Sequence, residues 1–240
     1  MRRLAEARRR REARGALARP DLPEPVRLHL STPKPPDRLP WRQVTYTVLD
    51  LETTGLDPTT HAIVAAGGLR VIGGRAAAAT AFRLLVRPDQ QVPTAAIRIH
   101  GLLPGELAAA PPLPEQLTTL LDHTLGDVLV VHVAEVDQAF LDAAMRRSWG
   151  CPLNATVLDT ARMAGALNRR LHLARPPGRR PGTSLRLADL ARAHGLPVHP
   201  EHDPLHDALT TAQLFLALAT RLEQHGRGTL GALRRVASRP

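Results

Sequence analysis

From residue 44 onward the apolar positions fall into blocks whose period changes along the chain. Val44 to Leu51 is an apolar, β-branched run that reads as a buried strand and breaks into a turn at Thr53-Thr54-Gly55. Ile63 to Ile72 and Ala79 to Val86 predict two more strands, with Gly73-Gly74 between them as a hairpin signal. Three consecutive strands on short loops predict an antiparallel meander. Further on, Leu113 to Leu125 is helical, and Val128 to Val133 is a continuous apolar strand. Val136, Phe140, Leu141 and Ala144 then recur at helical spacing as far as Trp149. Val157 to Asp159 reads as a short strand entering another helix. This strand, helix, strand order implies parallel pairing through right-handed crossovers. Ser184 is placed to cap a helix running to about His194, and the longest helix is expected from about Leu205 to Glu223. The fold class is α/β with a mixed sheet.

The two ends of the chain break this rhythm. Residues 1–20 carry eight arginines against Glu6 and Glu12, a local charge of +6 out of a total of +10. Such a run reads as a solvated arm, disordered or a fraying helix, suited to gripping phosphates. The prolines between Pro20 and Pro40 suit an extended linker. Residues 1–40 are therefore expected to be a flexible basic and proline-rich tail, 41–224 the folded domain, and 225–240 a basic C-terminal tail. Lys34 is the only lysine, and arginine's planar fork suits phosphate, so a polyanionic partner is expected. Aromatic residues make up only 2% of the chain, so Ala, Leu and Val must fill the core. Cys151 is alone, which excludes an intrachain disulfide or a cysteine zinc cluster and points to a reducing, cytoplasmic setting. No apolar stretch approaches the roughly 18–20 residues that span a bilayer, so no membrane partner is expected.

The chemistry concentrates in acidic residues. Asp50 and Glu52 are two apart on a strand, so both carboxylates leave the same face at its end. Two anions there repel each other unless a cation or protons intervene. In full the segment reads Val48-Leu49-Asp50-Leu51-Glu52-Thr53-Thr54-Gly55-Leu56, which closely resembles the first motif of the DnaQ-like (DEDDh) 3'→5' exonucleases, a family that includes polymerase proofreading subunits. His132-Val133-Ala134-Glu135-Val136-Asp137 with Phe140-Leu141 is similar to the second motif. His202-Asp203-Pro204-Leu205-His206-Asp207-Ala208 with Thr211-Ala212 is similar to the third, where a His precedes the last Asp by five residues. The resemblance covers roughly residues 44–222, with order and spacing in register.

The resemblance implies an RNase H-like fold, a mixed five-stranded sheet with helices on both faces. It also implies that Asp50, Glu52, Asp137 and Asp207 hold two divalent cations, Mg²⁺ or Mn²⁺, with His202 as general base toward the attacking water. The Thr53-Thr54-Gly55 turn and His100 are expected at the terminal nucleotide, and Arg179 and Arg180, in the basic loop 174–183, along the backbone of a single strand. The implied substrate is a single-stranded DNA 3' end, with RNA processing as the alternative, a polymerase or repair protein as partner acting in trans, and a non-catalytic binding module as a third reading. A zinc site built from His199, His202 and His206 is a competing use of the third motif. Three positions depart from the family: Val133 stands where Asn is common, Val136 where Phe is common, and Ala65 where the second strand often carries Glu. Gln213-Leu214-Phe215 reads as core packing rather than as a clamp-binding peptide.

Overall fold

The computed structural model describes residues 2–172 and 184–237. Five strands form one sheet: β1 (Tyr46–Thr53), β2 (Ile63–Ile72), β3 (Arg75–Leu85), β4 (Val128–Val131) and β5 (Val157–Asp159). Their order is β3-β2-β1-β4-β5, with β3, β2 and β1 antiparallel to one another and β4 and β5 added parallel to β1. This is the mixed sheet that the RNase H-like expectation requires. The helices, in chain order, are α1 (Arg2–Leu17), α2 (Glu24–Ser31), α3 (Thr94–His100), α4 (Pro104–Ala108), α5 (Leu113–Thr124), α6 (Ala134–Trp149), α7 (Thr160–His172), α8 (Leu187–Ala193), α9 (Pro204–Gln224) and α10 (Leu230–Ala237).

The pleat of β1 divides the core. Tyr46 and Val48 pack with α7, α9 and α10 on one face, while Leu49 and Leu51 pack with α5 and α6 on the other. Asp50 and Glu52 continue the row of Tyr46 and Val48, so the sequence places them on the α9 face at the strand's far end. The near end is pinned by Asp127, whose carboxylate accepts from Thr47 Oγ1 on β1 and Arg70 Nε on β2, each at 2.7 Å.

Three of the six aromatic residues meet at one point. Phe215 of α9 is fully buried, 4.7 Å from the Tyr46 ring and 6.0 Å from Trp41, centroid to centroid. It is a core residue and unavailable as an exposed clamp-binding peptide.

Both ends of the chain differ from expectation. The proline-rich segment is not an extended linker throughout. Leu22, Val26 and Leu30 repeat every four residues, and with them α2 buries a face against α5. Pro25 lies in its first turn, where a missing N–H costs nothing. The basic arm is helical as α1, with Ala13 and Ala16 buried in the same cluster. At the C-terminal end, Leu230, Leu233 and Val236 bury one side of α10 against α7 and β5. At both ends arginine and proline surround these apolar stripes without interrupting their spacing. Two smaller corrections concern helix starts. Ser184 is not the cap of α8: Arg186 occupies that position, and the Ser184 hydroxyl donates to Asp189 at 2.6 Å. The strand expected through Val133 ends at Val131, because Val133 has turned left-handed. No helix among the described residues is long and apolar enough to cross a membrane, and Cys151 is buried and free.

Phe215→Ala removes the ring that Trp41 and Tyr46 share. A loss of about 3–5 kcal/mol is expected, read from the urea midpoint at constant m-value.

Candidate active site

The site is assembled where α9 meets the ends of β1 and β2. Asp50 pairs with Gly67 across the sheet and Glu52 with Ala65. A side chain at Gly67 would be impossible without movement, since a Cβ there would lie 2.4 Å from the Leu205 backbone nitrogen. The missing side chain lets the first turn of α9 rest directly on β2, which carries Asp207 to the β1 carboxylates. Asp203 fixes that turn as the N-cap of α9, accepting from the N–H groups of Leu205 and His206 at 3.0 and 3.1 Å. Pro204 follows at the first helical position, and Arg83 of β3 reaches Asp203 at 3.3 Å.

As a result Asp50, Glu52 and Asp207 each place a carboxylate oxygen within 4.8 Å of the other two. This is the one group of metal-ligating type among the described residues. Asp137, in the first turn of α6, is buried and lies outside that tight group, but after burial itself it is the largest influence that raises Asp50. Burial raises the Asp50 and Asp137 carboxyls well above the ordinary carboxylate range. Glu52 is pushed up to about 7, first by burial and then by Asp207 and Asp203, with Arg83 partly opposing. Asp207 is also raised by burial, against the pull of the His202 N–H, which donates to it at 2.8 Å. A cluster in which four carboxyls resist ionising is short of positive charge, and its hard oxygen donors fit divalent cations of the Mg²⁺ or Mn²⁺ type.

His202 sits in the turn before α9 with φ of +67°, its imidazole exposed and its charge felt by both Asp207 and His100. His100 is the last residue of α3. Its Nδ1 accepts from Leu102 N–H at 3.0 Å, while Nε2 is buried without a partner. The Thr53-Thr54-Gly55 turn is tied down internally. Thr54 exchanges hydrogen bonds with Ala62, and Gly55 makes room for the His61 ring, 2.4 Å from where a Cβ would stand. Arg179 and Arg180 lie outside the described residues. The zinc reading of the third motif gains nothing here: the His199 and His206 rings stack at 6.3 Å, apart from the carboxylate group.

Asp159 escaped the sequence reading. Its buried carboxylate accepts from the N–H groups of Ala161 and Arg162 at the start of α7, at 2.9 and 3.3 Å. It also accepts from Val133 and Ala134 at the start of α6, at 3.3 and 3.1 Å. One side chain thus caps two helices, and the second of them carries Asp137. The signal was an Asp at the end of a strand, entering a helix. Asp159 also accounts for the Val133 departure. Val133 has φ of +63°, which a β-branched residue adopts at a cost and which Asn tolerates; the hydrogen bonds that its N–H and that of Ala134 donate to Asp159 hold it there.

The family assignment rests on more than three motifs, since the family model described as "Exonuclease", RNase T, matches residues 47–215. The chain belongs to the RNase T exonuclease family. The chain is 32% identical over 184 residues to a DNA polymerase III subunit epsilon of Treponema pallidum, covering 76% of this chain and 80% of the relative. It is 31% identical over 198 residues to a DNA polymerase III subunit epsilon-like protein of Rhodobacter capsulatus, covering 81% of this chain but 26% of that one. Among solved structures, E. coli exonuclease I in complex with a dT13 oligonucleotide superposes with a TM-score of 0.61 at 18% identity, over 77% of this chain and 43% of that one. The chain thus spans well under half of several longer relatives, and at this identity the superposition establishes the fold.

Two outcomes follow from the geometry. Asp159→Ala removes both caps and is expected to cost about 1–4 kcal/mol in a urea titration, with a higher Mg²⁺ concentration needed for half-maximal activity; unchanged stability would remove Asp159 from this role. The second concerns pH. Without divalent cations, folded Glu52 keeps its proton up to about pH 7, whereas its ordinary value is 4.5. The folded state then binds more protons across that interval, so the stability present below it is lost as pH rises through about 7. Tm in EDTA should fall from about pH 5 to about pH 8, and millimolar Mg²⁺ should restore it at the upper end. A profile that rises over this range would show that the carboxyls are not crowded.

Proposed function

We propose that the exonuclease works from the 3' end, releasing nucleoside monophosphates from single-stranded or frayed DNA, with two divalent cations held by Asp50, Glu52, Asp137 and Asp207. The observation that carries this reading is the convergence of Asp50, Glu52 and Asp207 oxygens within 4.8 Å, beside an exposed His202. When bound, Mg²⁺ or Mn²⁺ ions supply a hydroxide-like nucleophile at neutral pH and stabilise charge on the leaving oxygen.

The chain's own residues do the rest. His202 takes the proton of the attacking water as its oxygen bonds to phosphorus, and the bond from phosphorus to the 3'-oxygen of the preceding nucleotide breaks. Support for this role comes from the His202 backbone, which is left-handed and whose N–H donates to Asp207 at 2.8 Å, so that the residue carrying the imidazole is tied to one of the proposed metal ligands. His100, whose buried ring nitrogen has no partner within the chain, is proposed to take one from the terminal nucleotide once the site opens to it. The likeness to epsilon subunits supports proofreading or repair in company with a polymerase, and the likeness to exonuclease I, solved with dT13, supports a single-stranded substrate.

The test is digestion of 5'-labelled single-stranded DNA and RNA of equal length with Mg²⁺, Mn²⁺ or EDTA. A metal-dependent ladder shortening from the 3' end is expected, with DNA preferred. Asp207→Ala should abolish it, and His202→Ala should slow it by about 10²–10⁴-fold. Preference for RNA would replace the substrate with a ribonucleic acid. Absence of a ladder with either metal would leave a non-catalytic binding module.

A further inference from the structure

The function proposed above makes no use of α1, the most basic element of the chain. Its neighbours fix its direction. Arg9 reaches Asp142 at 3.5 Å, Glu12 reaches Arg146 at 3.0 Å, and the Arg19 guanidinium donates to the Trp149 carbonyl at 2.8 Å. Residue numbers rise together along both helices, so α1 runs parallel to α6. The N-terminal turn of α6 carries Asp137, and the N-terminal half of α1 therefore lies at the same end of the molecule as the carboxylates. Nine residues separate Asp137 from Arg146, an axial rise of about 13 Å, and packed helices stand about 8–10 Å apart. The middle of α1 is thus on the order of 15 Å from the site. An open groove lined by Arg9, Ala134, Glu135, Gln138, Asp142 and Arg146 runs between the two helices from the first turn of α6.

The charges along this path do not cancel. Glu12 is held by Arg8 at 2.8 Å and by Arg146; Asp142 is held by Arg146 at 2.9 Å and by Arg9. Glu135 is paired with Arg162. Each acid of the groove already has its arginine. Arg11 and Arg14 are exposed and have no ion-pair partner among the described residues. Ala13 and Ala16 meanwhile anchor the opposite face in the core, so these two guanidiniums are presented outward from a docked helix.

We infer that α1 is a second nucleic-acid contact, a docked basic rail along which Arg11 and Arg14 grip the phosphate backbone of the single strand upstream of the 3' end. This rests on the exonuclease reading for the polarity of the strand, but the contact itself is a matter of charge and reach. Arginine forks match phosphate oxygens, and basic single-strand grooves in other folds take about 4–16 nucleotides. A strand of that length ending at the carboxylates extends past the first turn of α6 and reaches α1; a strand of a few nucleotides does not.

The experiment uses the full chain and the variant Arg11→Glu/Arg14→Glu, both positions being exposed, with Arg11→Lys/Arg14→Lys as the charge-preserving control. Binding of fluorescein-labelled oligo-dT of about 4 and about 20 nucleotides is followed by anisotropy in EDTA across a salt series. For the long oligomer, each lost phosphate contact lowers the slope of log K against log salt by about 0.7, so the Glu variant should lose about 1.4. The lysine control should keep most of that slope, and the short oligomer should bind all three proteins alike. With Mg²⁺, KM for the long oligomer should rise in the Glu variant while kcat holds. An unchanged slope with the long oligomer would overturn the inference, as would equal losses with both lengths, which would put the arginines at the terminal nucleotide. Poly-glutamate competing as well as oligo-dT, charge for charge, would overturn it in favour of an acidic protein. Because anisotropy in EDTA needs no cleavage, the rail can fail while the exonuclease reading stands, and the reverse.

Discussion

The close approach of α9 to β2 at Gly67 is the constraint from which the site follows. A helix normally keeps about a side chain's width from a sheet, and here the Pro204–Leu205 backbone occupies the space that a Cβ at Gly67 would fill. Only at that distance does the first turn of α9 bring Asp207 into line with Asp50 and Glu52. The rest of α9 supports the approach: Phe215 wedges between Trp41 and Tyr46 three turns further on, and the N-cap at Asp203 prevents the first turn from fraying away. The site is a consequence of packing before it is a matter of carboxylates.

Helix starts and anions are used twice, for different ends. Asp203 and Asp159 spend their charge on backbone amides, the arrangement that favours an ionised carboxylate. Asp50 and Glu52, on a strand, lack an N-terminus of their own; both are raised first by burial, Asp50 then by the charges of Asp137 and Asp207, Glu52 by those of Asp207 and Asp203. Asp137 and Asp207 stand in first turns but gain too little from them to offset burial. The molecule therefore separates acids that are satisfied by its backbone from acids that burial holds above their ordinary range, and the two kinds sit side by side at the same two helix starts.

What could be read from the sequence followed the same division. The β1 row of Tyr46, Val48, Asp50 and Glu52 is legible because a period of two is local, and β2 and β5 were bounded at their true ends for the same reason. The three acidic motifs were legible because their spacing reflects one family's chain path. Gly67 was not, since a glycine in a strand says nothing about which backbone will press on it. Asp159 was missed because one acid at the end of a strand looks like any other until two helix starts converge on it. At the chain ends, the repeats Leu22, Val26, Leu30 and Leu230, Leu233, Val236 were present but outweighed by arginine and proline, which report on solvation and on φ rather than on what a neighbouring helix offers.

The three departures from the family pattern also become physical statements. Ala65 faces Glu52 across the β1–β2 pair and packs with Val64, Leu102 and Leu107, so a carboxylate is absent where it would have added to a cluster already crowded with charge. Val136 remains apolar and packs, partly buried, against the α5–α6 core, a smaller side chain in the same service. Val133 is the costly one, a β-branched residue held left-handed at the helix start that carries Asp137. It keeps the backbone turn and gives up the amide side chain, leaving 40% of an apolar residue exposed at the edge of the site. None of the three alters an acid that converges on β1. What they change is the polarity of the wall around it, and that wall is where a difference in nucleotide preference from other members of the family would be written.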